Sequence, residues 1–232
     1  MQSTISDYVR QYDRDHFICS LFIPKSVRQS YLAIYALNIA INNIIYGCNE
    51  AMVALVRLQW WHERISIAYN DKVVFDNQMI SEGVLISNYF NGYEQMIGKI
   101  SDENVHDMEK IAEQTTVNLI KMLFTVAKKD YQNNQLAYHC GSAWHLMNNL
   151  RNAHVKQFSK IRSIIARIEY HIAQVDNLIK TAPKAITKIT LQVKLVALYL
   201  KRIRKMGFEN FSKEISPIMQ IKMLFYSLLT HI

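Results

Sequence analysis

The sequence predicts an all-α protein, and three observations carry that prediction. Gly and Pro are scarce, at 6 and 3 in 232 residues. A sandwich or barrel of short strands needs turn residues at roughly every 10 positions, which this chain cannot supply. Leu, Ile, Lys, Gln and Met, all good helix formers or tolerated in helices, are abundant. A charge-free run from Gln29 to Asn49 has the length of a long helix that is apolar nearly all round. With 50% hydrophobic and 20% charged residues, the chain supports a globular core and is not disordered. No linker, repeat or low-complexity segment divides it, so one domain over residues 1–232 is expected.

The elements follow in order. A first helix is expected over 6–20. Pro24 suits a first helical turn, and the next helix runs from there to Tyr46. Asn49 is a good N-cap, with Glu50 in the first turn of a helix reaching Asn70. A fourth covers about 77–90. Ser101 caps Asp102 and Glu103 ahead of a long helix to Lys129, and another spans 133–154. A basic helix over 159–181 stops at Pro183, and the next, 184–206, ends at Gly207 in the usual C-terminal position. A last helix follows Pro217. Gly141 lies inside a periodic helix, where it costs about 1 kcal/mol relative to Ala, so a close helix–helix approach is expected there.

The run over 29–49 is about long enough to span a bilayer. Asn38, Asn42 and Asn43 lie inside it, and polar side chains at a membrane centre are costly. It therefore reads as the central core helix of a bundle. Cys19, Cys48 and Cys140 are far apart and odd in number, which argues against a disulfide framework and a structural zinc. Asp7, Asp13 and Asp15 precede any apolar run, unlike a signal peptide. A cytoplasmic setting is expected, at most peripheral at the inner face of a membrane.

Charge is uneven along the chain. Residues 1–150 hold 12 Lys+Arg against 15 Asp+Glu, a net of −3; residues 151–232 hold 15 against 4, a net of +11. A basic last third suits an acidic partner, or is simply a solvated helix surface.

No short motif shows an active site. His62-Glu63 has no second histidine four residues on, so it is not a zinc protease motif. His139 and His145 are not at ligand spacing, and neither a glycine-rich phosphate loop nor a nucleophile signature is present. Trp60 and Trp61 point to opposite sides of a helix, one for the core and one for a lid or contact surface.

Four stretches in order carry a stronger signal: DHFICSLFIP (15–24) with Arg28, leading into YLAIYALN (31–38); RLQWW (57–61); GSAWHLMNNLR (141–151); and YLKRIRKMGF (199–208). Together they resemble the squalene/phytoene synthase family from end to end. RLQWW is most similar to a bacterial subgroup that also includes the mitochondrial complex I assembly branch. The resemblance implies an isoprenoid (terpenoid) synthase-type helical bundle around a deep apolar cavity. Enzymes of the family join two prenyl diphosphates. They hold magnesium and diphosphate on two aspartate-rich motifs of facing helices. Magnesium is a hard cation that prefers carboxylate oxygens, and aspartates at i and i+4 share one helical face.

The chain departs from the family at those positions. The first motif corresponds to Asn42, Asn43 and Tyr46. In the second, a leading glutamine becomes His145, Asn148 and Arg151 remain, and the aspartates become Asn152 and Lys156. An asparagine offers only a neutral carbonyl oxygen, and Lys156 puts a cation where a metal would sit. A longer basic loop that helps to form the mouth of the family's site is missing between Asn152 and Phe158. Arg28, Arg57 and Arg151 are candidates to bind an anion, or to form ion pairs with Glu50, Glu63 or Glu113.

The expectation is a non-catalytic member with a lipid- or partner-binding role, such as complex I assembly, needing no metal or cofactor. Its expected partners are a prenyl or other lipid ligand, a protein in complex assembly or an anionic membrane surface, and not nucleic acid. The alternatives are an active, magnesium-dependent prenyltransferase and a peripheral membrane-surface protein.

Overall fold

In the computed structural model, described for residues 4–70, 83–97, 104–128, 131–151, 158–207, 216, 218, 219, 221, 222 and 225, every regular element is a helix. The first expected helix is two: α1 (Ile5–Tyr12) and α2 (Arg14–Ser20). The break is at Asp13, whose carboxylate accepts the His16 amide at 3.1 Å and caps α2. Next come α3 (Lys25–Gly47), α4 (Ala51–Asn70) and α5 (Gly83–Met96). The long helix expected up to Lys129 is α6 (Val105–Gln114) and α7 (Thr116–Ala127), divided at Thr115. Asn104 caps α6 by accepting the Asp107 amide at 3.0 Å. After α8 (Asn134–Arg151) and α9 (Phe158–Leu178), the chain turns at Pro183 into α10 (Lys184–Ile189) and α11 (Leu191–Met206). The helix expected over 184–206 is thus broken at Thr190. Gly207, at φ 78°, ends α11 in the left-handed geometry that glycine adopts most easily. The expected Ser101 cap, positions 77–82 and most of the segment after Pro217 lie outside the described residues.

Helix α3 runs through the core. Tyr31, Tyr35 and Ile41 are fully buried on it, as the charge-free run requires. No helix among the described residues is long and apolar enough to cross a membrane. Helix α8 is the hub, packed against α6, α7, α9 and α11. At Gly141 a Cβ would lie 2.8 Å from the Val117 backbone, so α7 and α8 meet main chain to main chain. Cys19 and Cys140 are buried and Cys48 is half-buried; all are free thiols, and burial pushes those of Cys19 and Cys140 up.

Candidate functional site

Helices α3 and α8 bring the two motif positions to one cavity of about 150 Å³. Asn38, Asn42 and Tyr46 recur every four residues, which places them on one face of α3. Across from them, α8 contributes Trp144, His145, Asn148 and Asn149. Helix α5 adds Tyr93 and Met96, and α7 adds Thr116 and Leu119.

The lining, among the described residues, is largely polar but uncharged. The Asn42 carbonyl oxygen accepts the Tyr93 hydroxyl at 3.2 Å. The Asn38 oxygen accepts Tyr89 at 2.9 Å and Tyr93 at 3.3 Å. Burial holds both phenols well above their ordinary pKa, so they remain neutral donors. His145 Nδ1 lies 3.3 Å from the Thr116 hydroxyl, and burial pushes its imidazole down to about 4, so it is neutral near neutral pH. Among the described residues, no carboxylate lines the cavity. This set of amides, phenols, a hydroxyl and a neutral imidazole does not fit magnesium, which needs several hard and preferably anionic oxygens. The Asn42 oxygen, at a position of the first motif, is already committed to Tyr93.

The other candidate positions fall elsewhere. Asn43 is exposed on α3 and faces Tyr8 of α1. Tyr46 is 49% exposed and forms part of the cavity wall. Asn152 and Lys156 lie outside the described residues.

The structure does not bring the three arginines together. Arg28 donates to the Leu21 and Ile23 carbonyls at 3.1 and 3.0 Å, closing the end of α2. The exposed Arg57 donates to Cys48 Sγ at 3.4 Å. Arg151 is paired with Asp15 at 2.5 Å, a partner outside the three expected glutamates. Tyr199 donates to the other Asp15 oxygen at 2.8 Å, and its ring lies 4.3 Å under the Arg151 guanidinium. Burial pushes the Asp15 carboxyl above its ordinary range, and Arg151 and Tyr199 pull it back. His16 reaches Asp13 at 2.7 Å and Gln192 at 3.0 Å, a further tie between α2 and α11.

Sequence reading missed a second buried cluster. Glu109 on α6 accepts His171 Nε2 at 2.6 Å and Arg167 Nη2 at 2.6 Å, both from α9. The other ring nitrogen of His171 lies 2.9 Å from His139 Nδ1 on α8. Burial lowers the pKa of both histidines, that of His139 to about 4. Spacing puts Arg167 and His171 one turn apart on α9 but offers no hint of their partners, since His139 and Glu109 lie 32 and 62 residues from His171. It also missed Tyr93 on the cavity wall; the only available signal was its four-residue step from Tyr89 on a helix.

Comparison with known proteins gives a consistent picture. The squalene/phytoene synthase family model matches residues 9–160. Bovine NADH dehydrogenase (ubiquinone) complex I, assembly factor 6 is 25% identical over 157 residues, covering 62% of this chain and 47% of the relative. The human protein of that name is 24% identical with the same coverage, and the Drosophila melanogaster homolog is 24% identical over 160 residues. The chain therefore spans about half the length of these relatives. The crystal structure of YisP from Bacillus subtilis subsp. subtilis strain 168 superposes with a TM-score of 0.68 at 13% identity, over 95% of this chain and 93% of YisP, a likeness of fold.

Proposed function

The chain belongs to the squalene/phytoene synthase family, and from that premise we propose a non-catalytic binding role in support of respiratory complex I assembly. The observation that carries this reading is the cavity of about 150 Å³ at Asn42, Tyr46, His145 and Asn148, whose lining among the described residues holds no charged group. Prenyl transfer ionises a carbon–oxygen bond and must stabilise a departing diphosphate, normally with metal ions held on carboxylates. Amides and phenols offer that charge nothing comparable. Size argues the same way. A cavity of about 150 Å³ takes a ring such as benzene, whereas sites that enclose larger ligands run to roughly 300–1,000 Å³. The assembly role itself is supported by the relatives named for it.

The test has two arms. Purified protein is incubated with farnesyl and geranylgeranyl diphosphate, magnesium and a reductant, and extracts are examined for squalene and phytoene. No product above a heat-killed control is expected, and product would establish the active-prenyltransferase alternative. Separately, the chain is disrupted in its source cell and assembled complex I is quantified on native gels. A clear deficit is expected; normal complex I would remove the assembly role and leave the non-catalytic reading standing.

A further inference from the structure

Helix α4 turns two unlike faces outward and inward. Its inward face, Ala54, Leu58 and Ile65, is buried against α3 and α5. Its outward face repeats apolar residues every four positions: Met52 is 70% exposed, Val56 63% and Trp60 51%, with Val53 beside them at 38%. Successive members lie one turn apart, so the stripe extends about 12 Å along the helix. Trp61, by contrast, packs against the core. The RLQWW tandem therefore places one indole inside and leaves the other in solvent.

Such a face exposes large apolar side chains on three successive turns, which a monomer in water does not favour. We propose that this face of α4 is a membrane-docking surface, seated in the headgroup region of a bilayer that contains anionic phospholipid. Three observations select this occupant. The exposed Arg57 and Arg64 lie along one edge of the stripe, where they meet lipid phosphates while the apolar residues insert. The Arg64 guanidinium sits 5.4 Å over the Trp60 ring, pairing an amphipathic aromatic with a cation, as suits the boundary between headgroups and acyl chains. The chain also carries a net charge of +8, which attracts it to an anionic surface before contact. The acids of this face stand at its ends. Glu50 precedes the helix, and Glu63 follows Trp60 and accepts the Gln59 amide at 3.0 Å. Insertion thus covers the first three turns. Contact is shallow and reversible, and it does not depend on the cavity's ligand.

The test uses the full chain. It is floated with vesicles of phosphatidylcholine alone and of phosphatidylcholine mixed with phosphatidylglycerol, each at low and high salt. Flotation with the mixed vesicles is expected, weakened but not abolished by salt. Lipids brominated in the acyl chain should quench tryptophan emission, and Trp60→Phe should remove most of that quenching. Met52→Glu with Val56→Glu changes only solvent-facing residues, so the melting temperature should hold while vesicle affinity falls roughly tenfold or more. Lys201→Glu with Lys205→Glu should reduce binding at low salt only. Equal recovery of the wild type with and without vesicles would overturn the proposal. So would undiminished binding by the Met52/Val56 variant, or binding that salt abolishes entirely. A wild-type dimer in sedimentation that Val56→Glu dissociates, without change in vesicle binding, would instead give this face to a second copy of the chain.

Discussion

Polar groups packed around helix α8 are arranged on two opposite terms. Around Asp15–Arg151–Tyr199 and Glu109–Arg167–His171, each buried carboxylate has a cationic partner on another helix. In the cavity, a few residues away along α8, every polar group among the described residues is uncharged. A buried charge persists only where an opposite charge and hydrogen bonds offset its desolvation. Arg151 makes the contrast sharpest. The family resemblance gives it a place in the second motif, yet its carboxylate partner is Asp15 of α2, and the pair ties two helices together. Among the described residues, this molecule keeps charge where helices are joined and presents none on the cavity wall.

The largest expected effect comes from breaking the charged side. Asp15→Ala leaves Arg151 without its carboxylate inside the bundle. It should cost about 3–5 kcal/mol, or roughly 10 °C in melting temperature for a chain of this size. Calorimetry that shows no change would mean that the pair contributes nothing and that the contrast is cosmetic. A smaller loss is expected from Gly141→Ala, whose new Cβ would meet the Val117 backbone at 2.8 Å. About 1–3 kcal/mol is the usual cost of such overpacking, read as a lower denaturant midpoint. An unchanged midpoint would show that α7 and α8 can part at that level.

Acid should sharpen the comparison. Burial lowers His139 and His145 from 6.5 to about 4, and His171 in the same direction. The unfolded chain therefore binds more protons between those values. The contribution of these histidines to stability is complete above pH 6.5 and declines as pH falls towards 4. Urea melts across that window should show the decline, and His139→Asn should flatten it. A profile that is level from 6.5 to 4 would mean that these rings are not held neutral. The smallest effect is a gain. Asn42→Asp with Tyr46→Asp sets two carboxylates one turn apart on the cavity wall, and weak magnesium binding should appear in titration calorimetry. Wild-type protein that binds magnesium as tightly as this variant would break the neutral side of the comparison.

The fold was legible because it rests on composition and punctuation. The charge-free run gave the central helix, Gly207 its C-terminal cap and Gly141 its close approach. The breaks at Asp13, Thr115 and Thr190 were not legible, because each interrupts a run of helical periodicity that continues on both sides. Asp13 reads as one more acidic residue until its carboxylate is seen capping α2. At the site, spacing within one helix was readable: Asn42 and Tyr46, or His145 and Asn148, share a face by arithmetic. Pairing between helices was not. Arg151 and Asp15 are 136 residues apart, and nothing local distinguishes that carboxylate from the glutamates considered for the role.

The meeting of α7 and α8 at Gly141 has a consequence for anything that enters the cavity. Gly141 lies one turn before His145 on the same face of α8, and Val117 adjoins Thr116. That main-chain contact fixes how far apart α7 and α8 stand one turn from the cavity, so Thr116 and His145, 3.3 Å apart on its wall, keep their spacing unless the two helices part. A guest meets this pair as a rigid rail, and no change of side chain at Gly141 can bring the rails closer.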